Sequence, residues 1–94
     1  MSRDVRKGSL RALHTSANRR LGELFAQRRD VLDLSQEDVA DKLGWHQSSI
    51  SKIENSRRRA DVFEVILIAR VLKMNPRALL AAAELFLREE DLMN

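Results

Sequence analysis

The chain contains no cysteine, which excludes disulfide staples and thiolate metal sites. Aromatic residues are scarce, and β-branched residues do not alternate along any segment, so nothing argues for a sheet. A single proline and three glycines leave few obligatory breaks, while Ala, Leu, Glu and Arg dominate. No apolar run is long enough for a signal core or a membrane span, and a bacterial or phage cytoplasm is the expected location. Also missing are a phosphate-cradling glycine loop and a nucleophile with a base at a useful spacing. His14 and His46 are remote from one another and lack spaced acids, so no metal, no cofactor and no catalysis are expected. What remains is an all-α chain of 94 residues, 44% hydrophobic, close to the lower size at which a core suffices unaided. Dimerisation would help it.

The stretch Leu34 to Arg59, LSQEDVADKLGWHQSSISKIENSRRR, organises the rest. Ser35 followed three residues later by Asp38 is a capping-box-like helix start, and Val39, Ala40 and Leu43 give the short helix an inward face. Gly44 is the natural stop, because glycine enters the left-handed region without penalty. Trp45 and His46 complete the corner, Trp45 mainly as a cap on the small core and His46 as the expected side-chain cap of the next helix. From Gln47 on, Ile50 and Ile53 form one narrow anchoring face, and Gln47, Ser48, Ser49, Ser51 and Lys52 are polar. A helix so short and so polar has the composition of one that lies in a major groove.

The pattern LSQEDVADKLG, then SSISKIEN, then basic residues, resembles the helix-turn-helix domain of the lambda-repressor, Cro and XRE-like family of regulators. The likeness covers about Leu21 to Leu80; this chain has Ser56 where the family often has glycine. It implies a five-helix lambda-repressor-like domain that binds double-stranded DNA. It also implies that Gln36 contacts a phosphate and braces the reader, and that Arg28 or Arg29 on the first helix lies near the DNA backbone. Gln47, Ser48, Ser51 and Lys52 are the base-reading candidates, with Gln47 able to bind adenine through two hydrogen bonds. The phosphate candidates are Gln36, His46, Ser49, Asn55, Arg57, Arg58 and Arg59. Glu54, repelled by phosphate, is expected to pair with an arginine, one on the first helix being the natural partner.

Charge is uneven along the chain. The net value is +3, yet residues 1 to 29 hold eight basic and two acidic side chains, and the remainder holds nine and twelve. Residues 1–14, with Arg3, Arg6 and Lys7, read as a flexible basic arm that could follow a minor groove or stay solvated. The domain spans 15–90, with a first helix starting near Thr15 and lined by Leu21, Leu24, Phe25 and Val31. Asp30 and Asp33 oppose its dipole at the far end, so it stops before Ser35. Asp61 caps a broadly apolar helix whose Phe63 and Ile66 are expected to meet Leu24, Phe25 and Ile50. Asn75 and Pro76 open the last helix, 76–90, apolar on more than one side and so expected to dimerise through Leu79, Leu80, Ala83, Phe86 and Leu87. Residues 91–94 form a frayed tail.

The expected function is therefore a sequence-specific regulator of transcription, a homodimer that represses by occluding a roughly palindromic operator. An antitoxin that binds a toxin and regulates its own operon, a restriction-modification controller meeting RNA polymerase, and a purely structural dimer are the alternatives.

Overall fold

The computed structural model describes the backbone of residues 2–92 and the side chains of residues 16–85. Five helices follow one another: α1 Ser2–Val31, α2 Gln36–Leu43, α3 Gln47–Glu54, α4 Val62–Val71 and α5 Pro76–Leu92. Among the described residues there is no strand. α1 is the spine, packed on α3 and α5, while α2 packs on α3 and α4.

Local signals place most helix starts. Ser35 and Asp61 each close a capping box with the acid three residues on, Asp38 and Glu64 respectively. The Asp38 carboxyl is held below the usual carboxylate range by the Ser35 amide and hydroxyl, with a smaller contribution from Lys42. The Asn75 side chain accepts from the Arg77 amide at 2.9 Å and so caps α5.

The helix ends share one geometry. Asp33, Gly44, Ser56 and Lys73 all have positive φ. At each, paired backbone bonds close the preceding helix: Leu34 and Asp33 donate to Arg29 and Asp30, Trp45 and Gly44 to Ala40 and Asp41. Arg57 and Ser56 donate likewise to Lys52 and Ile53, and Met74 and Lys73 to Ala69 and Arg70. This is the Schellman arrangement, in which a left-handed residue lets the chain turn while satisfying orphan carbonyls. Only one of the four positions is glycine, so the other three carry backbone strain, least at Asp33 because aspartate tolerates this region best.

The core gathers Phe25, Val39, Ala40, Ile50, Ile53, Val65, Ile68, Ala69, Leu72 and Leu79, with Trp45 and Leu24 packed at its edge. Burial of this set, not helix propensity, holds such short helices together.

Four expectations need correction. α1 begins at Ser2, not near Thr15, because Leu10 and Leu13 continue the helical spacing of Ala17 and Leu21 and no residue between breaks it. Phe63 does not enter the core. It is 73% exposed, since Val65, Ile68 and Ala69 already turn the opposite face of α4 inward. Leu79 is buried in the core of its own chain, so it is not free to join a dimer contact, whereas Leu80 stays exposed and Ala83 half-buried. Phe86 and Leu87 lie outside the described side chains. Val31, at the end of α1, is exposed and lines nothing.

Candidate nucleic-acid interface

α3 is seated by its inner face. Ile50 and Ile53 are buried, and α1 crosses directly over the end of the helix at Gly22. A β-carbon at Gly22 would lie 2.5 Å from the Glu54 carbonyl oxygen and 2.7 Å from that of Ile53. Only glycine permits this approach, because both neighbours are backbone atoms that cannot swing aside.

A partly buried polar chain then runs from α1 to the amino end of α3. The Arg29 guanidinium donates to both Glu54 carboxylate oxygens, at 2.8 and 3.0 Å, and to the Leu34 carbonyl at 2.9 Å. Gln36 Nε2 donates to Glu54 Oε1 at 3.0 Å, and Gln47 Nε2 donates to Gln36 Oε1 at 2.6 Å. The order of donors follows from the chemistry. A carboxylate only accepts, so Gln36 must present its NH2 to Glu54 and its oxygen to Gln47. The bond from Glu54 raises the affinity of the Arg29 guanidinium for its proton, against the cost of burial. The pair is well shielded, Glu54 at 6% and Arg29 at 16% side-chain exposure. Glu54 thus has the first-helix arginine partner expected of it.

This chain leaves one reactive end. Gln47 is exposed and retains its Oε1 and one N–H, the pair needed for the N6 and N7 edge of adenine. At 3.6 residues per turn, Gln47, Ser48, Ser51 and Lys52 fall within about 140° of one another on the face opposite Ile50 and Ile53. Gln47, Ser48 and Lys52 are exposed and Ser51 is half-buried, its backbone carbonyl accepting from Asn55 Nδ2 at 2.9 Å.

The phosphate candidates separate into groups. Arg57 and Arg59 are exposed and make no side-chain ion pair among the described residues. Arg58 is engaged: its guanidinium donates to the Glu64 carboxylate at 2.6 and 3.3 Å, tying the loop after α3 to α4. Arg58 holds the Glu64 carboxyl below the usual carboxylate range, and Glu64 in turn raises the arginine. His46, Ser49 and Arg58 come together around an open hollow of about 280 Å³, which Gly44, Trp45 and Glu64 complete. His46 stands at the cap position of α3 but its side chain makes no cap bond, contrary to expectation, and the Ser49 amide donates to its backbone carbonyl at 3.0 Å.

Arg28 and Arg29 also depart from expectation. Arg28 donates to the Leu72 and Lys73 carbonyls at 2.9 and 3.3 Å, and Arg29 to Glu54, so both hold the fold together. Gln36 braces the reader through its bond from Gln47, as expected, while the close approach at Gly22 and the donation of Gln36 to Glu54 are what the pattern of residues left unseen. The signal for Gly22 was its place among Leu21, Leu24 and Phe25 on the inward side of α1.

Residues 25–79 match a family model described as helix-turn-helix. Among solved structures, an XRE-family like protein from Pseudomonas syringae pv. tomato str. DC3000 superposes with a TM-score of 0.74. The two chains are 33% identical, over 80% of this one and 92% of the other. No helix among the described residues is long and apolar enough to cross a membrane, and none of their His, Asp and Glu side chains cluster as a metal site would require.

Proposed function

We propose, for a chain that belongs to the XRE-type helix-turn-helix family of DNA-binding transcriptional regulators, that it reads a specific operator through the outer face of α3 and represses by occluding the promoter. Gln47 is the central reader, with Ser48, Ser51 and Lys52 beside it. Arg57, Arg59, Gln36, Asn55 and the amino end of α3 meet phosphates, with His46, Ser49 and Arg58 at the adjoining hollow. Two copies place their readers in successive major grooves, about 34 Å apart, on a roughly palindromic site. The protein works in the cytoplasm, where its DNA is.

The observation that carries this reading is the braced Gln47 amide, 2.6 Å from Gln36 and exposed at the start of α3. A side chain held by three linked residues loses little further entropy on meeting a base edge, and precise placement is what discrimination between bases requires. The test is binding of the purified protein to its own upstream DNA and to unrelated DNA at two salt concentrations. Salt-sensitive binding to both, tighter on the upstream DNA, is the expected result. Equal affinity for both would remove the specific-regulator reading.

A further inference from the structure

We infer that Glu54, shielded at the carboxyl end of α3, decides which base Gln47 accepts, admitting adenine and refusing guanine. The inference rests on the reading of Gln47 above and names both the base and the residue that selects it. The Glu54 side chain is 6% exposed, so it acts through its neighbours. Its carboxylate is engaged from two sides. Oε2 accepts from Arg29 Nε at 2.8 Å, and Oε1 accepts from Arg29 Nη2 and from Gln36 Nε2, each at 3.0 Å. A further bond, from Arg29 Nη1 to the Leu34 carbonyl at 2.9 Å, fixes the guanidinium in place.

A carboxylate offers only acceptors and a guanidinium only donors, so neither can reverse its part in the chain. A glutamine can, because its amide carries an oxygen at one corner and an NH2 at the other. Turning the Gln36 amide over would set its oxygen against Glu54 Oε1 and its NH2 against that of Gln47, two repelling pairs in place of two hydrogen bonds. Glu54 therefore holds the Gln36 oxygen towards Gln47, and Gln47 must donate to it, at 2.6 Å. The polarity set at the shielded end is carried through two amides to the exposed one.

What Gln47 can still offer follows by subtraction. One N–H is engaged with Gln36, so one N–H and Oε1 remain. Adenine presents one acceptor, N7, beside one donor, N6, and meets both. Guanine presents two acceptors, N7 and O6, so its O6 would face the Gln47 oxygen with no proton between them. Held the other way, the same glutamine would accept from Gln36 through Oε1, keep both N–H groups and suit guanine instead.

The experiment takes the full chain and its operator, with each base pair replaced in turn by the other three. The position to read is the one at which Gln47→Ala abolishes the preference between bases. There the wild type should bind adenine roughly tenfold or more tighter than guanine. In Glu54→Gln the new NH2 takes the Oε1 place, because the shorter bond from Arg29 Nε keeps the other oxygen. Gln36 then turns over, and the preference for adenine should fall to parity or reverse. Gln36→Leu leaves the Arg29–Glu54 pair whole but unlocks Gln47, and should also bring the ratio towards one. Lost stability alone would weaken binding to both bases alike, so the ratio separates positioning from a merely structural role. An adenine preference that survives in both variants, or a wild-type preference for guanine over adenine at that position, overturns the inference while Gln47 stands as a reader. A Gln47→Ala loss that is equal on every DNA overturns that reading, and the inference with it.

Discussion

α3 and α4 each bury one face in the same core, Ile50 and Ile53 from the first and Val65, Ile68 and Ala69 from the second, yet what they leave outside is opposite in chemistry. α3 presents glutamine, serines and a lysine, and α4 presents valine, phenylalanine and leucine. A polar outer face stays hydrated until base edges and phosphates replace the water, so it costs the free protein nothing. An apolar outer face is unfavourable in water until another apolar surface covers it. Seating a helix therefore constrains only its inner side, and the outer side records the partner. The two helices also differ in how they are held. α4 is tied at its two ends, by Arg58 to Glu64 and by Arg28 to the Leu72 carbonyl, whereas α3 adds the polar chain from Arg29 through Glu54 and Gln36 to Gln47.

The largest test of this contrast is at Gly22, which concerns α3 and not α4. Gly22→Ala should cost about 3 kcal/mol in urea unfolding, the upper part of the range for overpacking, because the methyl meets two backbone carbonyls. Amide exchange should show α3 losing protection before α4. Next is the polar chain. Glu54→Ala leaves the Arg29 guanidinium shielded from water without its partner and frees Gln36, so about 2 kcal/mol of stability should be lost, with operator affinity falling further than stability alone explains.

The segment that joins the two helices can be improved. Ser56 sits at φ 59 with its hydroxyl buried and unpaired, and Ser56→Gly should stabilise the fold by about 1 kcal/mol, read as a rise in Tm. A fall in Tm would mean that the hydroxyl has an unrecognised role. The smallest effect is at the tie between Arg58 and α4. The Glu64 carboxyl is depressed in the folded state, so its contribution is complete above the ordinary glutamate range, about 4.3, and is lost as the pH falls through the lower folded value. Glu64→Gln keeps the capping-box acceptor but cannot titrate. Between neutral pH and pH 3 it should lose less stability than the wild type, by less than about 1 kcal/mol because Arg58 is 38% exposed.

Much of this was legible in the residues. LSQ with Asp38, Gly44 and the Ile50–Ile53 pair are local signals: a capping box, a left-handed turn and a short apolar period each act over a few positions. Asn75–Pro76 is of the same kind. Missed features depend on what lies across the fold. Gly22 is ordinary in sequence and becomes essential only because α1 crosses the end of α3. Phe63 and Leu79 are both apolar on apolar helices, and only the choice of inward face separates them. Arg28 and Arg29 look like two more cations for phosphate, yet carbonyls and a carboxylate from distant elements claim them. The left-handed residues Ser56 and Lys73 also escaped a reading by glycine, since tertiary packing imposes a turn that local preference would not choose.

The most direct test of the central claim, that a braced Gln47 reads a base from the outer face of α3, is the affinity of Gln47→Ala for the operator and for unrelated DNA, measured beside the wild type. A loss of about 1–3 kcal/mol on the operator, with unrelated DNA bound as before, is the predicted result. An equal loss on both DNAs, or none on either, would contradict it.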